Sequence, residues 1–140
     1  MSDPTCSACS GTWPDPARRI AGLSLTVAYL HDDQFLPGWT VLVLRRHATE
    51  LWELTREERA ELVEEVTTVA QALGDTYAAV KLNYALLGNQ LPHVHWHIVP
   101  RRRDDPAPLE APWSIPHAPR RLAPAELEER LAALRLRLPH

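Results

Sequence analysis

Residues 92–100 read Pro92-His93-Val94-His95-Trp96-His97-Ile98-Val99-Pro100. Three histidines alternate with apolar residues. Side chains along a strand point to opposite faces in turn, so this spacing predicts a β-strand over 93–99. His93, His95 and His97 then share one face, and Val94, Trp96 and Ile98 share the other. The apolar face can pack on a helix while the histidine face borders a site. Alternate strand residues stand about 6.6 Å apart, so one metal ion takes three such ligands only with distortion. Different histidines therefore do different jobs. Burying several imidazoles for structure alone would require a hydrogen-bond partner for each. An imidazole near its ordinary pKa becomes a nucleophile when a neighbour, such as a backbone carbonyl, holds its other nitrogen.

Upstream of this stretch, residues 23–31 and 39–46 are rich in β-branched and apolar residues and predict two strands. The turn between them ends in Pro37-Gly38. ATELWEL, residues 48–54, suggests one or two helical turns. Thr55 with Glu58 three residues later makes a capping box. A helix is expected over 56–73, with Leu62, Val66, Val69 and Leu73 at helical spacing and Gly74 as its stop. Residues 77–84 predict a third strand, and ALLGNQLP is a loop leading to the histidines. One further strand is expected among stretches without a clear pattern. Residues 101–121 are too proline-rich for a helix or central strand and read as an extended arm anchored by Trp113 and Ile115. Residues 124–137 predict a last helix, with Pro124 at its start and Leu127, Leu131 and Leu134 along its apolar side. The expected architecture is a single α+β domain, residues 1–140, with an antiparallel sheet of about five strands.

The chain has 140 residues, 15 basic and 18 acidic, with a formal net charge of -3 and 45% hydrophobic residues. That is ordinary for a globular domain and excludes a strong global attraction to nucleic acid or anionic membrane. No apolar run is long enough to span a bilayer, and the polar start MSDPTCSACSGTWPD lacks a signal peptide's apolar core. A cytoplasmic location is expected. Residues 1–18 are turn-rich and read as irregular. Cys6 and Cys9 are the only cysteines, spaced Cys-x2-Cys. They admit metal binding, a redox pair, or neither. No P-loop or dinucleotide glycine fingerprint is present.

PHVHWHIVPR, residues 92–101, resembles the signature of the histidine-triad family. Asn83, Gly88-Asn89-Gln90, the strand ending in His47, and Asp32-Asp33-Gln34 extend the likeness across residues 20–101. KLNYALLGNQLPHVHWHIVPR followed by DDP is similar to the family's bacterial diadenosine polyphosphate hydrolase-like branch. The resemblance implies a histidine-triad-like fold and an enzyme acting at the α-phosphate of a diadenosine polyphosphate or related adenine nucleotide. His95 matches the nucleophile that forms a nucleotidyl-histidine intermediate. His97 matches the histidine beside the transferred phosphate. Asn83, Gly88, Asn89 and Gln90 match phosphate-binding positions, and Asp32 or Asp33 matches the ribose-binding acid. A homodimer is also implied. The alternative is a nucleotide-binding or interaction protein with vestigial activity. Two departures stand out: Trp39 follows Pro37-Gly38 where many members have histidine, and Gly88-Asn89 replaces the usual Gly-Gln pair. Trp39 lines the base pocket or fills core.

Some relatives hold zinc with a Cys-x2-Cys pair and two histidines, which implies a structural zinc on Cys6, Cys9, His47 and His93. A closed set of four would leave no coordination position for water. Arg101-Arg102-Arg103 reads as a solvated charged run, with Arg101 the one placed to reach a phosphate tail. Trp52 and Trp113 read as packing residues and His31 as a partly exposed edge residue. His117 and His140 receive no role.

Overall fold

A computed structural model describes residues 2–139. Five strands, β1 (Arg19–Gly22), β2 (Thr26–Leu30), β3 (Thr40–Leu44), β4 (Lys81–Ala85) and β5 (His95–Arg101), form one antiparallel sheet in the order β1-β2-β3-β5-β4. Among the described residues three α-helices accompany it: α1 (Ser7–Ser10), α2 (Arg56–Tyr77) and α3 (Pro124–Arg135). The fold is α+β, as the pattern of elements implies. No helix among the described residues is long and apolar enough to cross a membrane.

The register of β3 on β5 sorts the side chains. Thr40 pairs with Ile98 and Leu42 with Trp96, so these four share the helix-facing side. Val41 opposite His97 and Val43 opposite His95 share the other. On the helix side, Ala28, Leu30, Leu42 and Ile98 form one core with Val66, Val69, Ala70 and Leu73 of α2 and Leu131 and Leu134 of α3. Leu42 and Ile98 are fully buried, and each such side chain contributes about 1.5–3 kcal/mol. Buried Glu65 of α2 accepts hydrogen bonds from Leu25 N–H at 2.9 Å and Thr26 Oγ1–H at 2.6 Å, tying the helix to the β1–β2 turn.

α2 begins with the expected capping box: Thr55 Oγ1 accepts from Glu58 N–H at 3.1 Å and Glu58 Oε1 from Thr55 N–H at 2.8 Å. It does not stop at Gly74 as the sequence suggests. Glycine inside a helix costs only about 1 kcal/mol, so Gly74 can be carried within the last turn, where a Cβ would meet Leu82 Cδ2 at 3.4 Å, an ordinary contact. The helix ends at Tyr77, where Ala78 takes the left-handed conformation. β4 accordingly starts at Lys81 rather than 77. β1 is the strand left open by the sequence. Residues 1–18 are not irregular throughout, since they contain α1 and a 3₁₀ turn at Pro16–Arg18. Trp52 is not a packing residue: it is 77% exposed.

The arm is fastened by Arg101, which is neither solvated nor turned toward a phosphate site. It is 3% exposed. Its guanidinium pairs with Asp105 and donates to Asn83 Oδ1 at 2.8 Å, Ala107 O at 2.7 Å and Glu110 O at 2.6 Å. The side chain of Asp105 is 1% exposed, so it depends on this cation. Replacing Arg101 with Met leaves a buried carboxylate without its partner. Urea unfolding of R101M should show a loss of about 3–5 kcal/mol, and R101M/D105N should recover part of it.

Candidate active site

β5 carries two of the three histidines; His93 lies just before the strand. Its buried ring has Nε2 at 2.7 Å from Leu44 O. Only an N–H can occupy that contact, so Nε2 is protonated and Nδ1 carries the lone pair. Nδ1 lies 3.4 Å from Cys6 Sγ, 3.7 Å from Cys9 Sγ and 3.2 Å from His47 Nδ1, and Cys9 Sγ lies 3.4 Å from His47 Nδ1. The donor atoms of Cys6, Cys9, His47 and His93 all fall within 4.8 Å of one another. His47 Nε2 faces Asp3 Oδ2 at 3.8 Å, a carboxylate beside a histidine of the kind that orients metal ligands. Burial pushes His93 below the ordinary histidine range, against the bond to Leu44, and so favours the neutral form a cation requires. These four residues form a cluster able to hold a metal ion.

His95 is buried, and its Nδ1 lies 2.6 Å from the carbonyl oxygen of His93. Nδ1 therefore carries the proton and Nε2 the lone pair. His97 has the opposite arrangement. Trp39 Nε1–H donates to its Nδ1 at 3.0 Å, leaving the proton on Nε2. Burial first, then His95 and His31, pushes His97 down to about 4. The two rings are 5.4 Å apart and border a cavity of about 580 Å³. Its walls include Ser7 of α1, Trp13, Trp39, Trp113 and the β4–β5 loop from Leu87 to Leu91. Trp13 meets His95 edge-on at 5.1 Å and Trp113 meets His97 at 6.5 Å. Trp113, 48% exposed, is thus a cavity-wall residue rather than a packing anchor, whereas Ile115 is buried. Gly88 adopts φ +73, a conformation that favours glycine, and sits in the wall with Asn89 and Gln90, whose side chains are exposed.

The remaining residues suggested by the sequence lie apart. Asn83 Oδ1 is held by Arg101. Asp32 pairs with Arg121 at 3.0 Å and borders a smaller neighbouring cavity of about 150 Å³ with His31. Asp33 fastens the arm: Oδ2 takes His117 Nε2–H at 2.7 Å and Oδ1 takes Arg120 N–H at 2.9 Å. His117, given no role by the sequence, stacks on Phe35 at 3.9 Å. His31 is more than an edge residue. It stacks on Trp39 at 4.8 Å and borders both cavities. Buried Gln34 braces this turn, donating from Nε2 to the carbonyls of His31 and Trp39 and accepting from Gly38 N–H. A Cβ on Gly38 would meet Pro100 and Tyr77 at 2.7 Å, so the turn before Trp39 requires glycine. His140 lies outside the described residues.

Residues 15–104 match the model of the HIT domain. In solved structures the chain is similar to a histidine triad protein from Bradyrhizobium japonicum, with TM-score 0.78, 33% identity and coverage of 85% of this chain and 88% of that one. It is also similar to a histidine triad protein from Sinorhizobium meliloti, with TM-score 0.79, 30% identity and coverage of 86% and 88%. Among curated proteins it is 30% identical over 86 residues to the asymmetrical bis(5'-nucleosyl)-tetraphosphatase of Schizosaccharomyces pombe, covering 58% of this chain and 47% of that protein. It is 27% identical over 91 residues to the adenosine 5'-monophosphoramidase of the same organism, covering 64% and 68%.

The Asp33–His117 pair gives a pH signature. Asp33 and the Ile115 carbonyl raise the pKa of His117, so its contribution to stability is full below the ordinary histidine value and is lost as pH rises through the raised one. Burial pushes Asp33 up, but the bonds from Arg120 and His117 outweigh it and its pKa is lowered. That contribution is lost only in acid. The stability difference between the wild type and H117Q should therefore shrink as pH rises from about 6 toward about 9, measured by urea unfolding across that range.

Proposed function

Because the chain belongs to the HIT-domain family, we propose that it is a nucleotide phosphohydrolase or nucleotidyl transferase of the diadenosine polyphosphate hydrolase-like branch. The observation that carries this reading is the 2.6 Å bond from His95 Nδ1 to the His93 carbonyl, which leaves Nε2 as the attacking atom at a cavity of nucleotide size. His95 Nε2 attacks the α-phosphorus and the leaving group departs. Water, or another acceptor in transfer, then takes the nucleotidyl group from His95. The Nε2–H of His97 donates to a phosphoryl oxygen, a stabilisation that is strongest where charge develops. Gly88 shapes the loop, and Asn89 and Gln90 supply amide donors beside it. Arg101 can only donate, so its bond to Asn83 Oδ1 fixes that amide and leaves its NH₂ group free; the family resemblance is what carries Asn83 to the phosphates in this reading. Asp33 is committed to the arm, and this favours Asp32, which borders the neighbouring cavity with His31, as the ribose-binding acid.

The four-residue cluster is proposed to hold structural zinc. A tetrahedral Cys₂His₂ zinc sets its nitrogens about 3.3 Å apart and its nitrogen–sulfur pairs about 3.6 Å apart. The contacts of 3.2 Å and 3.4–3.7 Å fit those spacings. When bound, the ion would pin the N-terminal segment to the sheet without an open position for catalysis. The protein's own residues would perform the chemistry. A cytoplasmic homodimer is proposed as well. β4 is an edge strand with Tyr84 half exposed, which suits sheet-to-sheet pairing.

His95→Asn should lower turnover of diadenosine tetraphosphate by at least about 10³-fold while retaining nucleotide binding by calorimetry. Undiminished activity would remove His95 as the nucleophile. Elemental analysis of the purified protein should find about one zinc per chain, reduced in C6S and in C9S. Full zinc occupancy in both variants would show that the ligand set is wrong.

A further inference from the structure

The reaction above needs two histidines, and neither role explains the tryptophan set against one of them. An indole nitrogen can donate but not accept. With Trp39 Nε1–H at 3.0 Å from His97 Nδ1, that ring nitrogen must accept, and the single proton sits on Nε2. An imidazolium would set two N–H groups against each other across the same gap. The indole has little room to turn aside. Trp39 is 5% exposed, stacks on His31 with ring planes 18° apart, and has its own carbonyl held by Gln34.

We propose that Trp39 is a positioning residue that locks His97 as a neutral Nε2–H donor. This lock steers the site toward substrates whose leaving group departs as an oxyanion and away from those that expel an amine. The inference rests on the nucleotidyl-histidine reading and refines its substrate class. In the first step the lone pair of His95 Nε2 forms an N–P bond while the bond to the leaving atom breaks. In a polyphosphate that bond is P–O. Its electron pair departs on an oxygen of the released phosphate chain, and no proton is needed. In a phosphoramidate it is P–N, and the nitrogen must gain a proton as it leaves or depart as an amide anion. An imidazolium could supply that proton; a neutral imidazole is a far weaker acid. In the second step water attacks phosphorus, the N–P bond breaks with its pair returning to Nε2, and the water's surplus proton passes to solvent. The burial of His97, with His95 at 5.4 Å and His31 at 5.8 Å as its titratable neighbours, acts in the same direction as the lock.

The test compares wild type, W39F and W39H on diadenosine tetraphosphate and on adenosine 5'-phosphoramidate, with the His97 tautomer read by long-range ¹⁵N–¹H NMR. In the wild type at neutral pH, His97 should show a protonated Nε2 and a bare Nδ1. kcat/KM should favour the polyphosphate by about 100-fold or more. Histidine at position 39 can accept as well as donate, so W39H should shift the ratio toward the phosphoramidate by about tenfold. W39F, with no donor, should free the tautomer and lower kcat more than it raises KM. A protonated Nδ1 in the wild type overturns the lock without need of any variant. An unchanged ratio in W39H, or a wild-type preference for the phosphoramidate, overturns the steering. Turnover of neither substrate ends the nucleotidyl reading and the steering with it, while the spectrum still decides the lock.

Discussion

Everything in this molecule depends on the two-residue alternation of β5 between β3 and β4. The strand is paired along both edges, and its two faces meet different surroundings. Trp96 and Ile98 belong to the helix-side core, and His95 and His97 belong to the cavity. A slip of one residue would drive imidazoles into the aliphatic core and expose Ile98, a double penalty that fixes the register. The pairing with β3 sets which turn of the chain meets which histidine. β2 and β3 place the Asp32–Gly38 turn beside His97, and the end of β3 carries the chain on to His47 beside His93.

The three rings look alike in sequence but differ in which nitrogen is engaged. Leu44 fixes the proton of His93 on Nε2, so Nδ1 faces the cysteines. The His93 carbonyl fixes the proton of His95 on Nδ1, so Nε2 has the lone pair. Trp39 fixes the proton of His97 on Nε2 by occupying Nδ1. Three partners, two backbone and one side chain, turn a repeated residue into three distinct groups. His93 also links two of these environments, with its ring in the cysteine cluster and its carbonyl holding the next ring.

Much of this was legible because it is local. The strands, the capping box and the alternating faces are properties of short windows, and the period of two carries straight into three dimensions. The resemblance to a known family brought Cys6, Cys9, His47 and His93 together on paper, and the chain brings them together in space. What the sequence concealed are pairings between distant residues. Arg101 reads as one member of an exposed basic run, yet it is buried because Asp105 and two carbonyls of the arm fold back on it. Asp33 and His117 are 84 positions apart, and nothing in either neighbourhood announces the other. Gly74 has the composition of a helix stop, but the helix runs through it to Tyr77 and ends where Ala78 turns left-handed. Trp39 stood between two readings, core filler or pocket wall, and its hydrogen bond to His97 belongs to neither.

The cavity draws its walls from places the sheet does not reach. Ser7 and Trp13 arrive on the N-terminal segment and Trp113 arrives on the arm, while the HIT-domain match covers residues 15–104. The cavity is therefore completed by residues outside the span that the family model matches. Two chains could share this sheet and its histidines almost atom for atom and still accept different molecules, because their ends roof the cavity differently. Those ends also offer a practical handle. Exchanging the terminal segments between such chains would redraw the cavity, and it would also replace Cys6 and Cys9 beside His47 and His93, Trp13 against His95 and the α3 side chains that complete the core.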